Sequence, residues 1–296
     1  SRRGRWLVLL ESFWAVGTIA LALIALQAGS QGGEAWRTIL FCTGLPAVVG
    51  LVLRFLVPES PLYLNKTGRS AEARAVLQRV AKTNGSGATV AELRPDAMER
   101  RSVAALFSPE LRRRTGFILL SWALISISYY GVFVYLPVRL AAEGFGFMRG
   151  QMFLVLVALV QLPGFALAAY GVERWGRKPT LIGFLLLSAV GCLVYALGQT
   201  QGIVVGATLL MSFALLGTWG AIYAFTPELY PTTLRASGMG TAGAMARAGG
   251  LLAPSIIAPA MATNFALALA TISAFLAAAA LCVWMIDAES KDMVLQ

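Results

Sequence analysis

Long apolar runs alternate with short polar links along nearly the whole chain of 296 residues. An α-helix needs about 20 consecutive, mostly apolar residues to cross a bilayer. The runs that meet this length predict eight spans, at 6–26, 36–57, 116–137, 151–172, 180–197, 202–225, 237–260 and 265–286. Short links such as 198–201 and 261–264 predict that consecutive spans lie antiparallel. The predicted fold class is therefore an all-α integral membrane protein.

One polar link is far longer than the others, and it separates two spans from six. Within it, Ser70 and Glu72 predict the capped start of a short amphipathic helix, and 86–95 is expected to be irregular. The pattern predicts two helices in 1–57, a linker in 58–114, a six-helix bundle in 115–287 and a tail in 288–296.

Composition agrees with a membrane protein. Charged residues make up 13% of the chain and hydrophobic residues 58%, whereas soluble domains carry about 25% charged residues. The net charge of +10 is concentrated on one side of the predicted spans, and the opposite side holds only Arg37, Arg139 and Arg149. The basic side of a membrane protein is normally cytoplasmic, which predicts a multi-pass plasma (inner) membrane protein with a cytoplasmic C-terminus. It favours a lipid bilayer as partner over nucleic acid.

Several chemical classes are excluded by what the sequence lacks. The chain has no histidine, which rules out a histidine general base and histidine-ligated metal. Its three cysteines, Cys42, Cys192 and Cys282, each lie within an apolar run and are interpreted as packing residues. The glycine pattern at 238–243 resembles a dinucleotide-binding motif, but a predicted membrane helix is the wrong context for it. We predict no cofactor, no metal and no enzyme activity.

Three polar turns between the apolar runs carry the most specific pattern. They read PESP at 58–61, ERWGRK at 173–178 and TPELYPTTLR at 226–235. Together they resemble the cytoplasmic loops of the major facilitator superfamily of transporters, in its sugar-porter and organic-ion branch. The resemblance implies that the eight spans correspond to helices 5–12 of a twelve-helix fold, with the first four helices outside this chain. The sugar signatures are missing at 121–130 and 216–223, so the chain is more similar to bacterial carriers of nicotinate-like or aromatic acids.

The same turns predict a charge network where the helices leave the membrane. Arg177 can reach carboxylates at neighbouring helix ends, and Gly176 permits close backbone approach. The resemblance implies a cytoplasmic gate made of Glu59, Glu173, Arg174, Arg177, Glu228 and Arg235. The alternative is a basic turn that fixes topology and has no role in switching.

Two ionisable residues fall inside predicted spans, where a charge costs about 3 kcal/mol or more unless it is paired or hydrated. Arg247 lies near the middle of its span and could clamp a substrate carboxylate, or it could bond structurally to neighbouring helices. Glu11 lies one to two turns into its span and is the candidate for proton coupling. A structural pairing of Glu11 with a basic residue is the alternative.

Aromatic and polar side chains at helical spacing are expected to line a substrate cavity. They are Trp122, Ser126, Tyr129, Tyr130, Gln161, Trp219 and Tyr223. Ordinary helix packing or lipid contact is the alternative for each of them.

These features predict a secondary active transporter that binds a small-molecule substrate, an organic acid, and moves it by alternating access with proton coupling. The aromatic residues also suit export of organic cations. A sensor or a truncated remnant that does not transport is the alternative from another class. The sequence leaves the oligomeric state open.

Overall fold

The computed structural model describes residues 3–28, 34–86, 93, 102–142 and 151–287. Within these ranges the chain is helical, and no described residue lies in a strand. The α-helices are α1 Arg3–Glu11, α2 Phe13–Ala28, α3 Ala35–Leu56, α4 Pro61–Lys66, α5 Ser70–Thr83, α6 Arg112–Ala142, α7 Gln151–Arg174, α8 Arg177–Leu197, α9 Gln201–Phe225, α10 Thr232–Thr263 and α11 Phe265–Trp284.

Eight helical segments of the described chain are long and apolar enough to cross a membrane. Helices α1 and α2 together form one such segment, Gly4–Ala28, and α3 and each of α6 to α11 provide the others. The prediction of eight spans is confirmed, with boundaries that differ by a few residues.

The chain divides into two compact units. One contains Ser1–Gly32 and Ser102–Gln296, with α1, α2 and α6 to α11, and the other contains Gly33–Arg101, with α3 to α5. The predicted domain boundaries at 57 and 114 stay a prediction. The tail at 288–296 and most of 86–95 lie outside the described residues.

In the smaller unit, α5 begins at Ser70, but the expected cap is wrong. Arg69 occupies the cap position, and the Ser70 hydroxyl donates to the side chain of Asn65 at 2.8 Å. Arg69 also pairs with Glu72 at 2.7 Å, on the exposed surface of the unit. The Arg69 guanidinium donates hydrogen bonds to the Glu72 carboxylate and so holds the pKa of Glu72 below its usual range.

Small residues and hydroxyls allow the helices of the larger unit to pack closely. The Ser212 hydroxyl donates to the Val157 carbonyl at 2.9 Å, which joins α9 to α7. The Ser273 hydroxyl joins α11 to α8 through the Ala189 carbonyl at 3.0 Å. The 238–243 glycine pattern lies inside α10, but the expected close helix contact is not found there. A Cβ at Gly240 or Gly243 would meet no described atom within 4 Å, and Gly238 faces the ring of Tyr230 in the preceding turn.

A break at Ser12 separates α1 from α2 in the middle of one span. The Ser12 hydroxyl donates to the Leu9 carbonyl at 2.6 Å, in place of a backbone donor. Glu11 is the last residue of α1, so its side chain lies at this break.

Candidate functional site

A cavity of about 80 Å³ lies among helices of the larger unit. Residues from α1, α2, α6, α7, α9 and α10 line it, namely Glu11, Trp14, Tyr129, Tyr130, Phe165, Leu216, Trp219, Tyr223 and Arg247. Five of the residues predicted for a cavity wall are in this set, together with Glu11.

Edge-to-face aromatic contacts fix the shape of the wall. The rings of Tyr129 and Trp219 are 5.8 Å apart at 88°, and those of Tyr129 and Tyr130 are 5.5 Å apart at 89°. Trp122 packs against two residues of the wall, with its ring 4.9 Å from that of Tyr223 and 5.4 Å from that of Trp219. Because such contacts prefer defined angles, the wall presents fixed ring edges and faces to a ligand.

Three predicted cavity residues do not line the cavity. The buried Trp122 donates its indole N–H to the Thr226 hydroxyl at 2.9 Å. The Ser126 hydroxyl donates to the Ala246 carbonyl at 2.5 Å, one residue before Arg247. Gln161 is 4% exposed, and its Oε1 has no hydrogen-bond partner among the described residues. Trp122 and Ser126 thus support the wall and the helix that carries Arg247.

Sequence reasoning missed Trp14, Phe165 and Leu216. Trp14 lies three residues after Glu11, and Phe165 lies four residues after Gln161. Neither spacing was a reliable signal, because the break at Ser12 lies between Glu11 and Trp14 and because Gln161 does not line the cavity. Nothing in the pattern distinguished Leu216 from other apolar residues of its span.

Arg247 lies halfway along the 32 residues of α10 and faces the cavity. It makes no hydrogen bond or ion pair with any other described residue. A guanidinium in the middle of a membrane helix requires such a partner or water, because an isolated charge there is costly.

Glu11 faces the same cavity from α1, and it too lacks a hydrogen bond or ion pair within the described ranges. The Tyr223 hydroxyl lies within electrostatic range of Glu11, Arg247 and Tyr130. The cavity therefore holds an acid and a base that do not neutralise each other directly.

A second cluster of charges lies at the end of the larger unit where α6, α8 and α10 begin, here called the basic end. Arg177 is 1% exposed there and donates from Nε to Glu228 Oε2 at 3.0 Å and from Nη1 to the Val172 carbonyl at 3.0 Å. Its Nη2 lies 3.8 Å from Glu173 Oε1. We call Glu173, Arg177 and Glu228 the charge network.

The backbone shape of the turn before α8 places Arg177 in this network. Gly176 has a φ of 111°, a conformation that L side chains rarely adopt. Glycine is therefore suited to this turn for its backbone conformation, whereas the close backbone approach expected from the sequence stays a prediction.

The start of α1 lies directly on the charge network. The Arg5 backbone N–H donates to Glu173 Oε1 at 3.0 Å, where a carboxylate also interacts favourably with the positive end of the helix dipole. A Cβ atom on Gly4 would lie 3.0 Å from Arg177 Nη2. Sequence reasoning did not find Gly4 and Arg5, because their partners are about 170 residues away along the chain.

The other predicted gate residues have separate contacts. Arg235 donates to the Pro227 carbonyl at 2.9 Å and so holds the turn after α9. Arg174 is exposed and lines a crevice between α1 and α7 with Arg5 and Glu173. Glu59 belongs to the smaller unit, where its carboxylate accepts the Ser60 N–H at 2.9 Å. A role for these three residues in a gate stays a prediction.

Comparison with known proteins identifies the family. The family described as "Sugar (and other) transporter" matches residues 1–292. The chain belongs to this family. Its relatives include the niacin transporter NiaP of Acinetobacter baylyi, 37% identical over 86% of this chain and 58% of the relative. The synaptic vesicle 2-related protein of Rattus norvegicus is 31% identical over 99% of this chain and 57% of the relative.

The fold is also shared with a solved structure. The major facilitator superfamily proton:xylose symporter XylE superposes with a TM-score of 0.76 at 19% identity, over 99% of this chain and 66% of that chain. The predicted superfamily and all-α membrane fold are confirmed. The chain spans less than three-fifths of the length of both curated relatives. The family consists of transporters, and the chain is a multi-pass membrane protein.

Proposed function

We propose that this chain is part of a secondary active transporter for a small aromatic acid of the nicotinate kind. It works by alternating access and is coupled to protons, with Glu11 as the exchanging group. The similarity to a protein named as a niacin transporter supports the substrate class. Membership of a transporter family supports transport, and alternating access is the mechanism that we propose for it.

Arg247 is the observation that carries the proposal. Its guanidinium lies at the centre of a span, faces a cavity, and lacks an ionic partner among the described side chains. A substrate carboxylate can accept two parallel N–H bonds from this group. Binding would then provide the partner that the described residues do not.

The cavity walls favour a flat and small ligand. Six aromatic side chains line the cavity together with Arg247 and Glu11, and they offer faces and edges to a single ring. The volume of about 80 Å³ is well below the roughly 300 Å³ at which sites for drug-sized ligands begin. A compact acid suits these dimensions better than a large drug.

The charge network supplies the gate in this proposal. Lysine and arginine are concentrated on the loops at the basic end, which supports a cytoplasmic location for that end and for the C-terminus. The network joins α7, α8 and the turn after α9 to the start of α1. It holds the inner side closed while these contacts persist.

Export of organic cations is the second candidate function. Aromatic walls with the carboxylate of Glu11 form a site that attracts cations. Arg247 opposes this function, because its positive charge faces the same space. Competition by an organic amine in the assay below separates the two.

The test is uptake of labelled nicotinate by proteoliposomes that contain the full-length protein. We expect saturable uptake that an inward proton gradient stimulates and that benzoate, but not an aliphatic amine, reduces. A protein-free vesicle and a vesicle without the gradient are the controls. Absence of uptake and of binding would reject the transport proposal and favour a sensor or a remnant.

A further inference from the structure

We propose that the cavity recognises both ends of its substrate, with Arg247 on a carboxylate and Glu11 on a basic ring nitrogen. The ligand class is then planar aromatic acids whose nitrogen lies away from the carboxylate. This inference rests on the proposed function, and it gives Glu11 a role in recognition beyond proton exchange.

Two opposite charges face the same cavity. Glu11 reaches the cavity from the end of α1, and Arg247 reaches it from the middle of α10. Neither makes a hydrogen bond or ion pair with any residue that the structure describes. A simple acid would neutralise Arg247 and leave Glu11 without a partner, at a cost in free energy. A ligand with a second polar group removes both costs.

The aromatic walls restrict where that second group can be. A flat ring that stacks among Trp14, Tyr129 and Trp219 presents its polar atoms only in the ring plane. A ring nitrogen meets this condition because its lone pair lies in that plane. An ammonium on a saturated carbon can rotate out of that plane, so it is not held in the plane of the stacked ring as a ring nitrogen is.

One proton completes the pairing. A protonated Glu11 donates to the ring nitrogen, or an ionised Glu11 accepts from a protonated ring nitrogen. Either way one proton lies between the two groups, while Arg247 neutralises the carboxylate. The loaded cavity then has no net charge, and one proton accompanies each substrate.

The groups around Glu11 are consistent with this arrangement. Tyr223 faces it from α9, Tyr129 and Tyr130 from α6, and Arg247 from α10. At the cavity α7 contributes Phe165 and α2 contributes Trp14, which do not titrate in the physiological range. At the end of α7, Glu173 lies against Gly4 and Arg5 at the start of α1, and Arg177 at the start of α8 lies beside Gly4.

The test compares ligands that differ only in the ring nitrogen. Binding of nicotinate, isonicotinate, picolinate and benzoate is measured on the full-length wild-type protein in lipid nanodiscs. We expect nicotinate and isonicotinate to bind about ten- to a hundredfold more tightly than benzoate, the range of one charge-assisted hydrogen bond. Picolinate should bind like benzoate, because its nitrogen lies beside the carboxylate.

Two substitutions sharpen the test. Glu11→Leu should reduce the ratio of nicotinate to benzoate affinity to about one, because no group then contacts the nitrogen. Glu11→Gln should keep a preference for nicotinate through its amide N–H, but its nicotinate affinity should lose the dependence on pH that proton sharing causes. A merely structural Glu11 would not produce this difference between the two variants.

Two results would overturn the inference and leave the proposed function intact. One is equal wild-type affinity for benzoate and nicotinate, and the other is an unchanged affinity ratio in Glu11→Leu. If no aromatic acid binds to the wild type, the inference and the proposed function fail together.

Discussion

The charge network and the cavity each contain an arginine, and the two arginines differ in their hydrogen-bond and ion-pair partners. Arg177 is buried against Glu228, Glu173 and a backbone carbonyl. Arg247 faces the cavity without such partners among the described residues, and its acidic counterpart Glu11 also stands apart. One arginine has the contacts of a structural link, and the other has the surroundings of a binding group.

Four other basic residues at the basic end also have partners within the protein. Arg114 donates to the Leu229 carbonyl and Lys178 to the Ile286 carbonyl. Arg113 pairs with Asp287 at 2.8 Å, and Arg235 holds the turn after α9. These basic residues at the helix ends make hydrogen bonds or ion pairs within the protein, whereas Arg247 inside the bundle makes none with a described residue, as its proposed role in ligand binding requires.

Substitution of Arg177 should have the largest effect. Arg177→Ala leaves the carboxylate of Glu228 buried without its partner, and loss of one partner of a buried ion pair destabilises by about 3–5 kcal/mol. We expect a lower thermal unfolding midpoint. We also expect faster labelling, from the side of the basic end, of a cysteine placed in the cavity.

Arg113→Ala is the matched control for this prediction. Its pair with Asp287 is exposed, with side-chain exposures of 61% and 75%, and exposed pairs contribute about 1 kcal/mol or less. If Arg177→Ala changes stability and labelling no more than Arg113→Ala does, the charge network is neither a link nor a gate.

Substitution of Arg247 tests whether this arginine binds the substrate and contributes little to stability. Arg247→Ala should weaken nicotinate binding by about a hundredfold, roughly 3 kcal/mol, because it removes two charge-assisted bonds to the carboxylate. Thermal stability should change little, since no described partner loses a contact. Equilibrium binding and unfolding are measured on the same preparation.

Arg247→Lys separates charge from geometry. Lysine keeps the positive charge but cannot make the two parallel bonds of a guanidinium, so an affinity between those of wild type and Arg247→Ala is expected. A large loss of stability in Arg247→Ala with unchanged binding would place this arginine in the same structural class as Arg177.

Substitution of Gly4 should have a smaller effect on the junction between α1 and the charge network. A Cβ there would lie 3.0 Å from Arg177 Nη2 and 3.2 Å from Glu173 Oε1, and overpacking typically costs about 1–3 kcal/mol. Gly4→Ala should therefore lower the unfolding midpoint and increase labelling of the cavity, although alanine is the better helix former.

Gly17→Ala provides the control on the same span. No described atom lies within 4 Å of a Cβ at Gly17, so the substitution should stabilise by about 0.4–1 kcal/mol through the helix preference for alanine. If both alanine variants are stabilised alike, α1 does not contact the network closely.

The sequence predicts the spans well because apolar length alone determines them. It also places Arg177 near Glu228, since both residues lie in short turns at helix ends. Position along a helix further indicated that Arg247 and Glu11 lie within spans, and that aromatic residues share a face.

Sequence pattern could not show which face meets which helix. Trp122, Ser126, Tyr129 and Tyr130 follow one another at helical spacings of three and four residues. Only the two tyrosines line the cavity, whereas Trp122 and Ser126 support its wall. Gly4 and Arg5 have no local pattern at all, because their contacts depend on tertiary packing. The local signal for Ser70 as a cap also failed, since the Arg69 cap position and the Asn65 contact replaced it.

Substitution of Tyr230, whose hydroxyl makes a buried hydrogen bond at the basic end, should have the smallest effect on stability. Tyr230 is buried and donates to the Thr115 hydroxyl at 3.3 Å, so Tyr230→Phe should cost about 1 kcal/mol at neutral pH. Burial raises the pKa of Tyr230, while Thr115 and Arg114 oppose the shift. The raised pKa contributes stability that is present below the unfolded value of about 10 and is lost as pH rises through the folded value.

The measurement is the unfolding midpoint of wild type and Tyr230→Phe between about pH 8 and pH 11, the range around the pKa of an unperturbed tyrosine. The wild type should lose more stability than the variant above about pH 10, so the two curves converge there. Tyr63→Phe, at a half-exposed ring of α4, is the control and should change the free energy of unfolding at neutral pH by less than about 0.5 kcal/mol. If the plots of unfolding midpoint against pH are parallel for wild type and Tyr230→Phe, ionisation of this hydroxyl does not contribute to stability. The basic end is then stabilised by its ion pairs and its contacts with carbonyl groups.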